Sequence, residues 1–233
     1  QSRRTAVYDR AFGRLEARGL VYPCFCSRDQ LHAASAPHAA DGRVVYPGLC
    51  RSLTEEQRAA RARSRRPAYR LRVPDETVSF VDGLQGPFSQ RLAEEWGDFI
   101  LRRSDGVYAY QLAVAADDGA MGVNQVVRGR DLLSSTPCQL LLYRLLGCEP
   151  PAFYHLPLLL APDGRRLSKR ERDLDAAHLR ARFADSRALV GRLAFWAGLL
   201  PRPEPISPRE LAPLFSWRSL RREDVSLPPA LFL

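Results

Sequence analysis

At 233 residues, with 45% apolar and 26% charged side chains, the chain can bury a sizeable core in one or two domains, and its composition is not that of a disordered protein. It has no run of about 18 apolar residues, and Gln1-Ser-Arg-Arg-Thr5 carries neither an initiator Met nor an apolar signal core, so a cytoplasmic protein with no membrane partner is expected. The net charge of +9 excludes little alone; the arginines of 61–66, 180–182 and 217–222 read singly as solvated faces, and together they favour a nucleic-acid partner modestly.

The periodicity predicts a first helix from about Thr5 to Arg18, with Val7, Ala11 and Leu15 on one stripe and Gly19 as its stop. Next comes Tyr22-Pro-Cys-Phe-Cys-Ser27, then a loop rich in Ala, His and Gly, then Tyr46-Pro-Gly-Leu-Cys50. Five cysteines is an odd number and three of them cluster, which suits a reduced compartment with a metal site better than a disulfide scaffold. Cys24 and Cys26 can share one tetrahedral ion if the backbone turns sharply, and Cys50 can close the site. On ligand softness the fourth position points to His32 or His38.

A capping-box pattern, Ser52-Leu-Thr-Glu55, predicts a short helix ended by Pro67. Alternation in 68–73 and the run 78–82 predict a two- or three-stranded antiparallel insertion. Residues 98–118 then read as a strand, a Ser-Asp-Gly turn and an apolar run that exposes Tyr110 and Gln111 at its start and ends in Asp117-Asp118. A further strand, buried and parallel, ends at Arg128-Gly129. Open α/β sheets bind ligands at this carboxyl edge, so Arg128 reads either as a surface ion-pair partner or as a fork for a carboxylate, with the Tyr110 hydroxyl offered to the same ligand.

Thr136 and Pro137 read as the N-cap and first residue of a helix that Gly147 terminates, with Cys138 and Cys148 as small core residues and His155 as a hydrogen-bonded structural histidine. The loop Pro162-Asp-Gly-Arg-Arg-Leu-Ser-Lys-Arg-Glu171 follows. Lys169 is the single lysine among 35 basic residues. An ammonium is a compact charge that can follow a phosphate as charge builds on it, where guanidinium is a rigid fork, so a lone lysine beside Ser168 suggests phosphate handling. After Asp173 the chain reads helical through Leu179, Phe183, Leu189 and Leu193, and the Pro-rich stretch 200–205 breaks it before a short apolar segment.

Arg166-Leu-Ser-Lys-Arg170, after His155-Leu-Pro-Leu158 and an Asp-Gly turn, resembles the Lys-Met-Ser-Lys-Ser signature of class I aminoacyl-tRNA synthetases, with Arg166 in place of the first lysine. Asp-Gly-x-x-Ala-Tyr-Gln-Leu-Ala, Asp-Asp, Gly-Val-x-x-Val-Val-Arg-Gly-x-Asp-Leu and Ser-Thr-Pro are similar to motifs of the glutamyl-queuosine tRNA(Asp) synthetases within that class. The resemblance spans about residues 1–180. It implies an α/β fold, a partial Rossmann-like catalytic domain with a zinc-binding, acceptor-type insertion and a short helical C-terminal segment, divided as 1–97, 98–172 and 173–233. It implies a ligase that activates glutamate with ATP and Mg2+ and transfers it to queuosine in the anticodon loop of tRNA(Asp), as a monomer. Lys169 then stabilises leaving pyrophosphate, Ser168 and Lys169 bind ATP, and Tyr110 and Arg128 bind glutamate. The family's Cys-x-Cys and Tyr-x-x-x-Cys pattern makes Cys24, Cys26, Tyr46 and Cys50 the ligands of a structural Zn2+, with His38 as the rival of Tyr46.

About 60 residues follow the lysine loop, too few for the anticodon-reading domains of a full glutamyl-tRNA synthetase. The family's first ATP motif is not in this sequence, so the chain is expected to begin inside a domain and to activate glutamate weakly as it stands. A fragment of an ordinary glutamyl-tRNA synthetase and a non-catalytic, zinc-stabilised RNA-binding module remain the alternatives.

Overall fold

The structure is a computed structural model that describes residues 1–31, 45–167, 179–180, 182–183 and 185–229. In chain order these form α1 (Thr5–Ala17), β1 (Val21–Cys24), α2 (Arg28–Leu31), α3 (Glu55–Ala62), β2 (Ala68–Leu71), β3 (Thr77–Asp82), β4 (Gly86–Arg91), α4 (Leu92–Glu95), β5 (Ile100–Arg102), α5 (Tyr110–Met121), β6 (Gln125–Gly129), α6 (Thr136–Leu146), β7 (Ala152–Leu156), β8 (Leu159–Leu160), α7 (Ser186–Trp196), α8 (Pro208–Leu211) and β9 (Val225–Ser226). The chain divides into two compact units, one of residues 1–80, 87–125 and 134–152, the other of residues 81–86, 126–133 and 153–233.

In the first unit α1 packs on α5 and α6. Tyr8, Ala11, Phe12 and Leu15 are its buried residues, an i, i+3, i+4, i+7 stripe, and Val7 is only half-buried at its margin. The helix stops at Gly19, whose φ of +67° lets Leu20 N–H reach back to the Leu15 carbonyl at 3.1 Å. The three-stranded sheet runs β1-β2-β5 with antiparallel pairing, Cys24 opposite Ala68 and Arg70 opposite Ile100. Pro23 is tolerated because β1 is the edge strand, where a missing N–H costs no ladder bond.

Several expectations are corrected here. The N-cap of α3 is Thr54, whose box partner is Gln57, and the helix ends at Ala62, well before Pro67. Residues 68–71 pair with β1 and β5, and the run 77–82 instead forms a hairpin with β4, which the sequence reading missed. The apolar run after the Ser-Asp-Gly turn is helix α5; Gln111, expected exposed, is buried there, bonded by Gln139 Nε2 at 2.9 Å, while Tyr110 is exposed. Gln111 turns inward because one helical step separates it from Tyr110, about 100° around the axis. Asp117 accepts from Arg4 and Tyr8, and Asp118 from Tyr143, so the acidic pair ties α5 to its neighbours. Ser135 rather than Thr136 is the N-cap of α6, with Pro137 in its first turn, and the helix stops at Gly147 as expected.

In the second unit β6 pairs with β7, and β8 lies parallel to β9. The strand carrying Arg128 is half-exposed rather than buried, with Gln125 and Val127 open to solvent. Trp196 and Leu227 form a small core against Leu159, Phe183, Phe195 and Val225. Both later helices are capped: Asp185 accepts from Ala188 N–H at 2.8 Å, and Ser207 and Glu210 form a reciprocal box. The Asp163-Gly164 turn leading toward the lysine loop is present, with the Gly164 N–H on the Ala161 carbonyl at 2.9 Å. Among the described residues no helix is long and apolar enough to cross a membrane.

Candidate functional site

In the first unit, the edge strand β1 delivers Tyr22 and Cys24 to its buried face, and the chain then turns so that Cys26 comes back beside them. The Sγ atoms of Cys24, Cys26 and Cys50 all lie within 4.8 Å of one another, with Cys26 and Cys50 3.6 Å apart. The Tyr46 hydroxyl stands 3.4 Å from the Cys24 sulfur and 3.7 Å from the Cys26 sulfur. Metal–sulfur bonds of about 2.3 Å in a tetrahedron separate two sulfurs by about 3.8 Å and a sulfur from an oxygen by about 3.5 Å. The separations Cys24–Tyr46, Cys26–Tyr46 and Cys26–Cys50 are close to those between ligands of one tetrahedral ion. His32 and His38 lie outside the described residues.

What surrounds these atoms is basic. The Arg70 guanidinium carbon sits 3.7 Å from the centroid of the Tyr46 ring, and Arg61 donates to the Cys50 sulfur at 3.7 Å. Burial opposes a thiolate at Cys24, but the Tyr46 hydroxyl and the charge of Arg70 outweigh it and hold this thiol below its ordinary value. Burial pushes Cys26 up to about 12, and the Tyr46 phenol is also raised by burial. Arg70 is held inward by a 2.6 Å bond to the Asp98 carbonyl, while the Asp98 carboxylate takes Tyr22 Oη at 2.6 Å and Val73 N–H at 2.8 Å.

Gly97 fixes Tyr46 against this frame. The two residues bridge as parallel backbone, Gly97 has φ of +62°, and a Cβ there would lie 2.5 Å from the Tyr46 carbonyl oxygen. A cavity of about 750 Å³ opens beside the cluster, lined in part by Tyr46, Arg51, Arg72 and Glu94. Sequence reasoning missed Arg70, Gly97 and Asp98. Arg70 looked like one charge of an alternating strand, and the bulge at Tyr69/Arg70 that turns it inward has no signature in residue type. Cys138 is fully buried in α6, as a small core residue, and Cys148 is half-buried.

In the second unit Arg128 meets a histidine. Its Nε donates to His155 Nε2 at 2.9 Å, and its guanidinium carbon lies 5.1 Å from the Phe153 ring centroid. Guanidinium can only donate, so Nε2 accepts and the ring proton resides on Nδ1. That nitrogen sits 2.5 Å from Asp82 Oδ2. Asp82 Oδ1 in turn accepts the N–H groups of Leu84, Gln85 and His155 at 3.0, 2.9 and 3.1 Å. Both Asp82 and His155 have fully buried side chains. Burial, reinforced by the charge of Arg128, lowers the His155 pKa against the pull of Asp82. Burial works to raise Asp82, but the Gln85 N–H and the His155 ring outweigh it and hold the carboxyl below its ordinary value. His155 is thus the hydrogen-bonded histidine expected from the sequence. Asp82 was missed because nothing in a strand-end Asp announces a partner 73 residues away.

Tyr110 opens α5 in the first unit with its side chain 47% exposed, and Arg128 belongs to the second unit, so each is placed separately. The lysine loop is described through Leu167; Arg166 pairs with Asp131 at 3.3 Å, and Ser168 and Lys169 lie outside the described residues.

Residues 1–190 match the family model of the catalytic domain of class I tRNA synthetases of the E and Q type. The chain belongs to this family. It is 50% identical over 232 residues to a glutamyl-Q tRNA(Asp) synthetase of Symbiobacterium thermophilum, covering 98% of this chain and 71% of that protein. It is 50% identical to the enzyme so named in Nitratidesulfovibrio vulgaris, covering 94% and 68%. A solved glutamate tRNA ligase from Elizabethkingia meningosepticum, in complex with its amino acid, superposes with a TM-score of 0.77 at 25% identity, over 99% of this chain and 52% of that one. The class I catalytic fold, membership of a ligase family and the resemblance to the glutamyl-queuosine branch are thereby borne out. The chain spans about seven tenths of those two relatives and about half of the solved ligase.

Proposed function

We propose that this protein activates glutamate with ATP and transfers it to queuosine in the anticodon loop of tRNA(Asp). The observation that carries this reading is the 50% identity, sustained over 98% of the chain, to a protein named for that reaction. In it the glutamate α-carboxylate attacks the α-phosphate of ATP in line, forming an acyl-phosphate bond as the bond to pyrophosphate breaks, with Mg2+ on the nucleotide. Catalysis is then largely placement and charge stabilisation. Arg128 and Tyr110 bind the amino acid, Ser168 shapes the ATP loop, and Lys169 follows the charge that builds on departing pyrophosphate. The enzyme works in the cytoplasm as a monomer, with residues 98–172 as its catalytic half.

The Cys24, Cys26, Tyr46 and Cys50 cluster holds a structural Zn2+ on this reading, supported by the tetrahedral spacing of its donor atoms. A divalent ion held by three thiolates and a phenolate leaves two negative charges, and Arg70 and Arg61 supply two positive ones beside them. No step of the reaction passes through the ion.

The test is glutamate-dependent ATP–pyrophosphate exchange, without tRNA, by the full-length gene product, followed by transfer of labelled glutamate to tRNA(Asp) with and without queuosine. Lys169→Ala is expected to lower exchange by at least about a hundredfold, the size of effect seen when one charge-stabilising donor is lost. Exchange indifferent to that substitution, or transfer indifferent to queuosine, sinks the proposal.

A further inference from the structure

We infer that Asp82 and His155 form a positioning pair for Arg128, setting the hand of its hydrogen bond through the ring tautomer so that the guanidinium is presented in one fixed orientation. The inference rests on the reading that Arg128 binds glutamate, and adds what holds it ready. Its basis is geometric. Asp82 Oδ1 is occupied by three backbone N–H groups, so Oδ2 alone faces the ring and takes the Nδ1 proton. Nε2 is therefore left as an acceptor, directed at Arg128 Nε. The terminal Nη2 also donates to the Leu132 carbonyl at 3.5 Å, so the guanidinium is held at more than one of its edges.

Arginine carries several rotatable bonds, and ordering such a side chain costs up to about 2 kcal/mol. Arg128 sits on a half-exposed strand, where the strand alone would leave that cost to be met when substrate binds. The buried pair meets it beforehand, which is what preorganisation means here. Phe153 supports the same arrangement from the other side: its ring is stacked with His155 at 6.0 Å and lies under the Arg128 guanidinium. Asp82, Arg128, Phe153 and His155 all belong to one compact unit.

The discriminating variant is Asp82→Asn. With its oxygen kept on the three N–H groups, the amide nitrogen faces Nδ1 as a donor; the ring must then shift its proton to Nε2, which points a donor at a donor on Arg128. The expected result in glutamate-dependent exchange by the full-length protein is a glutamate KM raised by about tenfold or more, an ATP KM within about twofold, and 15N NMR of the histidine showing the proton on Nε2. His155→Gln, which offers an oxygen to Arg128 and an N–H to Asp82, should stay within about threefold of wild type for glutamate, whereas His155→Leu should match Asp82→Asn. If His155→Leu does not melt cooperatively, Asp82→Asn and His155→Gln carry the comparison. Equal rises in both KM values, or a glutamate KM unchanged by Asp82→Asn while Arg128→Gln raises it, overturn the pairing alone. A glutamate KM unchanged by Arg128→Gln overturns the role of Arg128 itself.

Discussion

The two buried polar clusters solve the same problem in opposite ways. Around Asp82 and His155 the carboxylate takes three backbone N–H groups and the ring proton, and the second ring nitrogen takes Arg128 Nε. Around Cys24, Cys26, Tyr46 and Cys50 the donor atoms converge on one another, and burial holds Cys26 and Tyr46 in their protonated forms. The first cluster is tied together by its own hydrogen bonds; on the proposed reading, the second draws its stabilisation from a bound ion. Converging soft donors are what a metal site requires, whereas a donor–acceptor chain is what fixes the direction of a side chain.

The sharpest way to break this contrast is Cys50→Ala. On the proposed reading it should reduce bound zinc below about a tenth of an equivalent by elemental analysis, and lower unfolding free energy by more than about 4 kcal/mol, the range in which loss of a metal stands apart from ordinary substitutions. A melting curve unchanged by both this variant and a chelator would make the sulfurs an ordinary core cluster. Gly97→Ala comes next. It puts a Cβ against the Tyr46 backbone at a φ of +62°, and should cost about 1–3 kcal/mol in chemical denaturation while loosening zinc in parallel.

Tyr46→Phe sharpens the assignment of the fourth ligand. It removes the hydroxyl that Cys50 N–H reaches at 2.8 Å and that faces two sulfurs. Zinc affinity in competition with a chromophoric chelator should fall by about tenfold or more, and an unchanged affinity would hand the position to His38. The smallest effect is that of pH on the closed cluster. His155 has its pKa lowered from 6.5 by burial, so the unfolded chain binds a proton that the folded one refuses. Its contribution to stability is therefore complete above about pH 6.5 and is lost as pH falls from there through the lowered folded pKa, with a slope of at most about 1.4 kcal/mol per pH unit. His155→Gln should flatten that part of the stability profile in denaturant titrations; an identical profile would place the proton elsewhere.

The convergence of the three cysteines was legible in the sequence because its chemistry is local: sulfur is rare, and Cys-x-Cys followed by Tyr-x-x-x-Cys leaves few ways to bring soft donors together. The end of α1 and the stop at Gly147 were legible for the same local reason, a left-handed residue where a helix must finish. What stayed hidden is non-local. Strand partners of residues 68–71 depend on β1 and β5, the hairpin strand at 86–91 carries Gly and Pro that argue against a strand, and Asp82 acquires its meaning only beside His155. Arg128 was expected on a buried strand, yet that strand is half-exposed and its Nε meets a ring nitrogen, neither of which a single sequence encodes.

The β3–β4 hairpin bears on how such enzymes can be re-engineered. Its tip residue Asp82 closes the chain of bonds that ends on Arg128, so the hairpin is no detachable ornament. A chimera that imports this loop from a relative with a different residue at that position would lose the bond that orients the His155 ring and, on the proposed reading, would select its amino acid poorly, a defect far along the chain from the graft.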